Sequence, residues 1–195
     1  MDNIILKKKS YEVLEKLGEQ TTKVSFKGKT FVIKEFHVGS EEFEYFLVHY
    51  KHLKISGVRI PKVLKIDKKA EKVLLEYIEG ENVFDVLSKK DLDDEYYKRI
   101  FEQSWLAEND RLSLDYHPDH WIMSKNNEIV YTKFDYDEGI NEAQNFKTTQ
   151  VKLWFFTKEF YNYAKSKGVE LDSSRLKDEY KMNKEIVLKV VKYYV

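Results

Sequence analysis

The sequence lacks cysteine altogether, and its 34 basic residues are balanced by 34 acidic ones. Without cysteine the protein has no disulfide bonds, no thiolate metal ligands and no cysteine nucleophile. Because the formal net charge is zero, bulk binding to nucleic acid is not expected, since that binding needs a surplus of positive charge. Chemistry at a functional site must therefore come from lysines, carboxylates, histidines and backbone groups.

Arginine and long apolar runs are scarce as well. Four of the 34 basic residues are arginine, so the chain has few rigid guanidinium groups for bidentate recognition of phosphate. No window approaches the roughly 18 apolar residues that a membrane-spanning helix needs. The apolar Ile4–Leu6 precede Lys7–Lys9, which is the reverse of the order in a secretory signal peptide. A cytoplasmic location without a membrane span is therefore the expectation.

What the sequence does contain is enough apolar material for a folded core. Hydrophobic residues make up 42% of the 195 residues and aromatic residues 15%, which excludes a globally disordered chain. The length fits one ordinary domain or two small lobes that share a cleft.

The first 79 residues have the pattern of an antiparallel sheet with one inserted helix. Five segments show the alternation or β-branched composition of strands: Tyr11–Leu17, Lys23–Lys27, Thr30–Phe36, Val63–Ile66 and Lys72–Ile78. Between the third and the fourth, apolar residues at intervals of three and four predict a helix over Glu41–Lys54.

Beyond Gly80 the pattern becomes mostly helical. Helices are predicted over Asp93–Glu108, Asn145–Ser166 and Ser173–Tyr194, together with a hairpin around Lys125–Asn127. We therefore expect an α+β protein with a first lobe over residues 1–79, a reduced helical lobe over residues 80–195, and a cleft between them.

Lys34 is the first residue to which this frame gives a chemical role. It lies in an otherwise apolar strand, a position typical of an ammonium that neutralises phosphate in a cleft. Glu44 on the inserted helix is the candidate to pair with it, and Glu41 and Glu42 remain alternatives. A lysine that extends from its strand to solvent is the structural alternative.

Two carboxylates flank the predicted hairpin. Asp115 precedes it and Asp135 follows its second strand. In such a pair one carboxylate can accept a proton while the other binds Mg²⁺, which prefers oxygen ligands. The nearby His117 and His120 are expected to be structural, because two histidines without a third placed ligand are a weak metal signal.

Six short motifs follow one another along residues 11–140. They are Leu17–Gly18 with Val24, Val32–Lys34, Gly57–Leu64, Leu75–Gly80, Leu114–His120 and Phe134–Gly139. Together they resemble the motifs of the protein-kinase-like superfamily, in particular its small atypical members. Among these are the RIO kinases, the lipopolysaccharide Kdo kinases and the small kinase of the KEOPS complex.

The resemblance implies a bilobal protein-kinase-like fold. Its N-lobe would be a five-stranded antiparallel sheet plus one helix, and its C-lobe would be short and mainly helical. It also implies an ATP-dependent kinase that uses Mg²⁺ and transfers the γ-phosphate to a hydroxyl of a small molecule, a glycolipid or a specialised protein.

The resemblance assigns roles to individual residues. Asp115 would be the catalytic residue, which orients and deprotonates the acceptor hydroxyl. The nucleotide would be bound by Gly18, Lys34, Glu44, Glu76, Tyr77 and Ile78. The metal ligands would be Asp135, His120 and Asp137.

Departures from the motifs keep an alternative open. Gly18 is the only glycine of the phosphate-covering loop, and His120 stands where an asparagine ligand of Mg²⁺ is expected. A tighter hairpin would place Lys133 rather than Asp135 at the metal position. The alternative is a pseudokinase that binds a nucleotide or a protein partner as a scaffold. An unrelated α+β binding domain with chance matches is the third hypothesis.

Overall fold

The computed structural model describes residues 2–139 and 142–194. Its fold is α+β, with five α-helices and a six-stranded antiparallel sheet in the described part of the chain. The chain divides into two compact units. The first contains Pro61–Ile78 and the residues before Lys51, and the second contains Lys51–Ile60 and the residues from Glu79 onward.

The six-stranded sheet forms the first unit. Its strands are β1 (Asn3–Leu6), β2 (Lys9–Lys16), β3 (Thr21–Phe26), β4 (Lys29–Glu35), β5 (Val63–Asp67) and β6 (Lys72–Glu76). They lie in the order β1-β2-β3-β4-β6-β5, and all neighbours pair antiparallel. The core of this unit contains Leu6, Tyr11, Val24, Ile33 and Leu74.

The prediction of a five-stranded sheet is one strand short. All five predicted strands are present, but β1 adds a sixth at the edge. Ile4, Ile5 and Leu6 are consecutive apolar residues, so they lack the alternation that indicates a strand. The strand forms because a tight turn through Lys7 and Lys8, both with positive φ, returns the chain to pair with β2.

Helix α1 (Glu42–Ser56) follows β4 and confirms the inserted helix. Phe43 and Phe46 are buried on one face of it, and the ring of Phe36 packs against both. The helix ends before Gly57, whose φ of +84° is a conformation that glycine adopts at little cost.

The second unit combines helices with two small sheets. Its elements are β7 (Gly80–Asn82), α2 (Val83–Lys89), α3 (Asp94–Asn109), β8 (Leu112–Leu114), β9 (Trp121–Ser124), β10 (Ile129–Tyr131), β11 (Tyr136–Glu138), α4 (Lys158–Ser166) and α5 (Glu179–Tyr194). One sheet has the order β10-β9-β7 and the other pairs β11 with β8, antiparallel throughout. The predicted hairpin is the β9–β10 pair.

Two of the predicted helices are too long. Within Asn145–Ser166 only α4 is α-helical, because a 3₁₀ turn precedes it and Thr157 caps its first turn by accepting a hydrogen bond from the backbone N–H of Phe160. Within Ser173–Tyr194 a 3₁₀ turn likewise precedes α5. No helix among residues 2–139 and 142–194 is long and apolar enough to cross a membrane.

Candidate functional site

Strand pairing brings Asp115 and Asp135 together in the second unit. Leu114, the last residue of β8, pairs with Tyr136, the first residue of β11. Because the two strands are antiparallel, the residue after Leu114 and the residue before Tyr136 lie side by side at one end of the pair. These residues are Asp115 and Asp135.

A buried tyrosine fixes the backbone of both aspartates. The hydroxyl of Tyr131 donates to the carbonyl oxygen of Asp135 at 2.8 Å and accepts from the backbone N–H of Asp115 at 3.3 Å. Phe134, just before Asp135, has a φ of +60°, which is an uncommon conformation for a bulky residue. This bend turns the chain from β10 toward β11.

The two aspartates line a small cavity of about 50 Å³. Its lining residues are Ser113, Asp115, Lys133, Asp135, Tyr136, Asp137 and Gln144. The lining residues therefore carry three carboxylates, two hydroxyls, an amide and one ammonium. Asp115, Asp135 and Asp137 thus line the same cavity. Lys133, the residue that a tighter hairpin would have placed at the metal position, lines this cavity too.

Both carboxylate oxygens of Asp115 are engaged by nitrogen groups. Its Oδ1 accepts from the backbone N–H of His117 at 3.0 Å and lies 2.5 Å from His117 Nδ1. Its Oδ2 accepts from Lys133 Nζ at 2.7 Å and lies 3.2 Å from His120 Nδ1. Burial would raise the pKa of Asp115, but these contacts outweigh it and hold the pKa well below its usual range.

The other two carboxylates, of Asp135 and Asp137, accept hydrogen bonds from amide groups. Asp135 Oδ1 accepts from the backbone N–H of Tyr136 at 2.9 Å. Asp137 is exposed, and its Oδ2 accepts from Gln144 Nε2 at 2.6 Å. Asp135 Oδ1 and Asp137 Oδ2 therefore each accept a hydrogen bond from an amide group.

Asp119 fixes the far side of the loop between β8 and β9. Its Oδ1 accepts from the hydroxyl of Tyr163 at 2.5 Å and its Oδ2 from Lys167 Nζ at 2.8 Å. Burial would raise the pKa of Asp119, but these donors lower it. Its carbonyl oxygen accepts from Asn82 Nδ2 at 2.9 Å, which ties the loop to the start of α2. Tyr163 lies on α4 and Lys167 is the C-cap residue of that helix, and neither carries a sequence signal that links it to the loop.

The predicted nucleotide-binding residues lie in the first unit. Lys34 is half-buried on β4, and its Nζ is 5.4 Å from the centre of the Phe36 ring. Burial lowers the pKa of Lys34, while the charge of Glu42 opposes that effect. Glu44 and Glu42 are both exposed on α1, and the charge that raises the pKa of Lys34 is that of Glu42, one of the two alternatives.

The remaining nucleotide candidates lie at two turns of the same unit. The backbone N–H of Gly18 donates to Thr21 O at 3.1 Å in the turn between β2 and β3. Glu76 ends β6, and its backbone N–H donates to Lys62 O at 2.9 Å. Tyr77 is half-buried and Ile78 is buried.

Acidification tests the contacts of Asp115. Because the pKa of Asp115 is lowered in the folded state, its contribution to stability is present above its unfolded pKa of about 3.9 and is lost as the pH falls below that value. We expect Asp115→Asn to lower the free energy of unfolding at pH 7 by about 2 kcal/mol. The variant should also show a shallower loss of stability on acidification.

Urea unfolding at a series of pH values measures both effects. Asp93→Asn is the control, because Asp93 is exposed and makes no side-chain capping hydrogen bond at the start of α3. A variant at Asp115 whose pH profile coincides with that of wild type would show that its contacts do not stabilise the fold.

Comparison with known proteins gives no match for this chain. No family model matches the chain, and no curated protein is significantly similar to it. The resemblance to kinases therefore depends on the motifs of the chain itself and on where the structure places them.

Proposed function

We propose that the protein is a small atypical ATP-dependent kinase of the protein-kinase-like superfamily. The observation that carries the proposal is the β8–β11 pairing, which sets Asp115 and Asp135 at one end of a strand pair and around one cavity. These are the residues to which the motifs assign hydroxyl orientation and metal binding. The bilobal arrangement implied by the motifs is part of this proposal.

The donor set around the cavity fits Mg²⁺. This ion prefers oxygen ligands and is usually bound by one or two carboxylates together with substrate phosphates and water. Asp135 and Asp137 supply the carboxylates, and Ser113 and Gln144 add further oxygen atoms to the lining. A Mg²⁺ bound to these residues would neutralise the charge of the phosphates. His120 fits the role of a Mg²⁺ ligand less well, since imidazole is a poorer ligand for Mg²⁺ than a carboxylate.

Asp115 is suited to orient a hydroxyl. Its lowered pKa keeps it ionised at neutral pH, so that it accepts a hydrogen bond from an acceptor hydroxyl. In the transfer a bond forms between the hydroxyl oxygen and the γ-phosphorus, the bond to the oxygen of ADP breaks, and the hydroxyl proton passes to Asp115. The low pKa makes Asp115 a weak base, so positioning is its main contribution.

The first unit supports the proposal through its connectivity. Strands β2–β6 with α1 between β4 and β5 have the order of elements that the motifs imply. Lys34 on β4 would neutralise the phosphates, with Glu42 in the role first given to Glu44. Gly18 and the backbone from Glu76 to Ile78 would complete the nucleotide contacts.

Thermal unfolding of wild type with ATP and Mg²⁺ tests the proposal. At about 100 times its Kd, ATP should stabilise the protein by about 2.7 kcal/mol, which raises Tm by roughly 5–10 °C. Neither ATP alone nor Mg²⁺ alone should match this shift, and ADP should appear in a turnover assay. Absence of both the shift and the turnover would overturn the proposal.

A pseudokinase is the second candidate, and the contacts of Asp115 favour it. Four nitrogen groups from His117, His120 and Lys133 already surround its two oxygens, which leaves less room for an acceptor hydroxyl. This candidate predicts ATP binding that is independent of Mg²⁺ and gives no ADP. The same two measurements therefore separate the candidates.

A further inference from the structure

We propose that Asp115, His117 and His120 form a binding site for a transition-metal ion of the Zn²⁺ class, distinct from the Mg²⁺ site of the cavity. One ligand atom from each residue can be chosen so that all three lie within 4.8 Å of one another. The three residues come from a single loop of six residues. The inference goes beyond the proposed kinase activity. It does not depend on that activity, because it concerns only the binding of a transition-metal ion to these three residues.

The donor chemistry identifies the class of metal. Two imidazoles and one carboxylate suit Zn²⁺ and neighbouring transition metals, whereas Mg²⁺ and Ca²⁺ prefer sites made of oxygen alone. The sequence offered no third ligand for His117 and His120. The structure supplies it, because both imidazoles turn their Nδ1 atoms toward the carboxylate of Asp115.

The Nδ1 atom of His120 is the strongest single indication. It is buried from solvent and has no hydrogen-bond partner of adequate geometry, although it lies 3.2 Å from Asp115 Oδ2. A buried polar atom without a partner is costly, and a bound cation would remove that cost. Coordination of a metal ion by Nδ1 would give this atom a partner.

A second carboxylate, that of Asp119, lies near His120 but beyond hydrogen-bond distance. The Nε2 atom of His120 lies 4.0 Å from Asp119 Oδ1, and Asp119 is itself held by Tyr163 and Lys167. Metal-binding histidines commonly direct their second ring nitrogen toward a carboxylate, which fixes the orientation of the ring. The ring of His117 packs against Tyr163 with ring centres 4.8 Å apart, so both imidazoles have ordered surroundings.

Lys133 is the competitor for this site. Its ammonium donates to Asp115 Oδ2 at 2.7 Å, and its side chain is 38% exposed. A metal ion would replace this ammonium as the cation beside Asp115, and the flexible side chain can move into solvent. Removing the lysine charge by Lys133→Met should therefore tighten metal binding.

Calorimetric titration of the full chain with Zn²⁺ tests the inference. We expect one saturable site per chain, with affinity reduced roughly 10-fold or more in His117→Gln and in His120→Asn. His37→Gln is the matched control, because His37 is exposed and lies outside the loop, and it should bind like wild type. Absence of a one-to-one site in wild type would overturn the inference, and so would equal weakening by His37→Gln.

A second measurement uses the wild-type protein and therefore does not depend on whether the variants fold. Co²⁺ bound to wild type in place of Zn²⁺ should give visible absorption bands that Zn²⁺ abolishes by competition. If Co²⁺ gives no such bands, or Zn²⁺ leaves them unchanged, the site is not as proposed. Lys133→Met adds a variant that should bind more tightly, a result that unfolding cannot produce.

Zn²⁺ binding and the response to ATP are measured independently on the wild-type chain, so together they separate this inference from the proposed kinase activity. Zn²⁺ binding by a wild-type protein that does not respond to ATP would support the metal site while overturning the kinase proposal.

Discussion

Replacing Gly80 with alanine is expected to lower the free energy of unfolding by about 3 kcal/mol. A Cβ atom on Gly80 would lie 2.0 Å from the carbonyl oxygen of Met123 and 2.9 Å from the Cα atom of Ser124. Both atoms belong to the backbone of β9, so no side-chain rotation can relieve the overlap. The strands β7 and β9 would have to separate, although Gly80 pairs directly with Ser124.

The fall in stability should be visible as a decrease of Tm by roughly 6–12 °C. The adjacent hydrogen bond from the backbone N–H of Lys125 to Glu79 O, 3.0 Å long, should weaken with it. Gly18→Ala is the matched control, since a Cβ at Gly18 meets no atom within 4 Å and its φ is not positive. If the two variants melt at the same temperature, β7 does not approach β9 as closely as the structure places it.

Gly80 illustrates what sequence could and could not predict. The sequence marks it as the point where the strand pattern ends, and it is the last residue of the Leu75–Gly80 motif. Neither shows that its hydrogen atom faces the backbone of another strand, because β7 and β9 are separated by about forty residues and their pairing has no local signal.

The missing signal for contacts between distant segments also explains the errors in the predicted secondary structure. The longer strands of the first unit either alternate or are rich in β-branched and aromatic residues, so their positions were predictable. Strands β8 and β11 have three residues each, too few to show a period, and they exist because they pair with each other. The predicted helix over Asn145–Ser166 fails because its first half contains buried aromatic residues, such as Phe146 and Trp154, that pack in irregular backbone.

The candidate site was partly predictable for a similar reason. Asp115, Asp135 and Asp137 stand next to recognisable motifs, and the structure places them around one cavity. The ion pair between Lys133 and Asp115 was not predicted, because it depends on how β11 returns to β8. Tyr163 and Lys167 were missed because they lie more than forty residues from the loop that they hold.

Asp135→Asn is expected to abolish the stabilisation by ATP that depends on Mg²⁺. Under the proposed function Asp135 supplies a carboxylate to the metal, and a neutral amide binds Mg²⁺ far less well. Loss of the metal should remove several kcal/mol of transition-state stabilisation, so phosphoryl transfer should fall roughly 100- to 1000-fold. Initial rates of ADP formation and Tm shifts with ATP and Mg²⁺ measure the two effects.

The substitution keeps one contact of the side chain. The amide oxygen of asparagine can still accept from the backbone N–H of Tyr136, as Asp135 Oδ1 does at 2.9 Å, and Tm without ligand measures any change in stability separately from the response to ATP. Asp93→Asn repeats the same chemical change at an exposed position and should keep both responses. A variant at Asp135 that retains the Mg²⁺-dependent shift would exclude this residue as the metal ligand. Loss of the shift in both variants would instead point to a general electrostatic effect of removing a carboxylate.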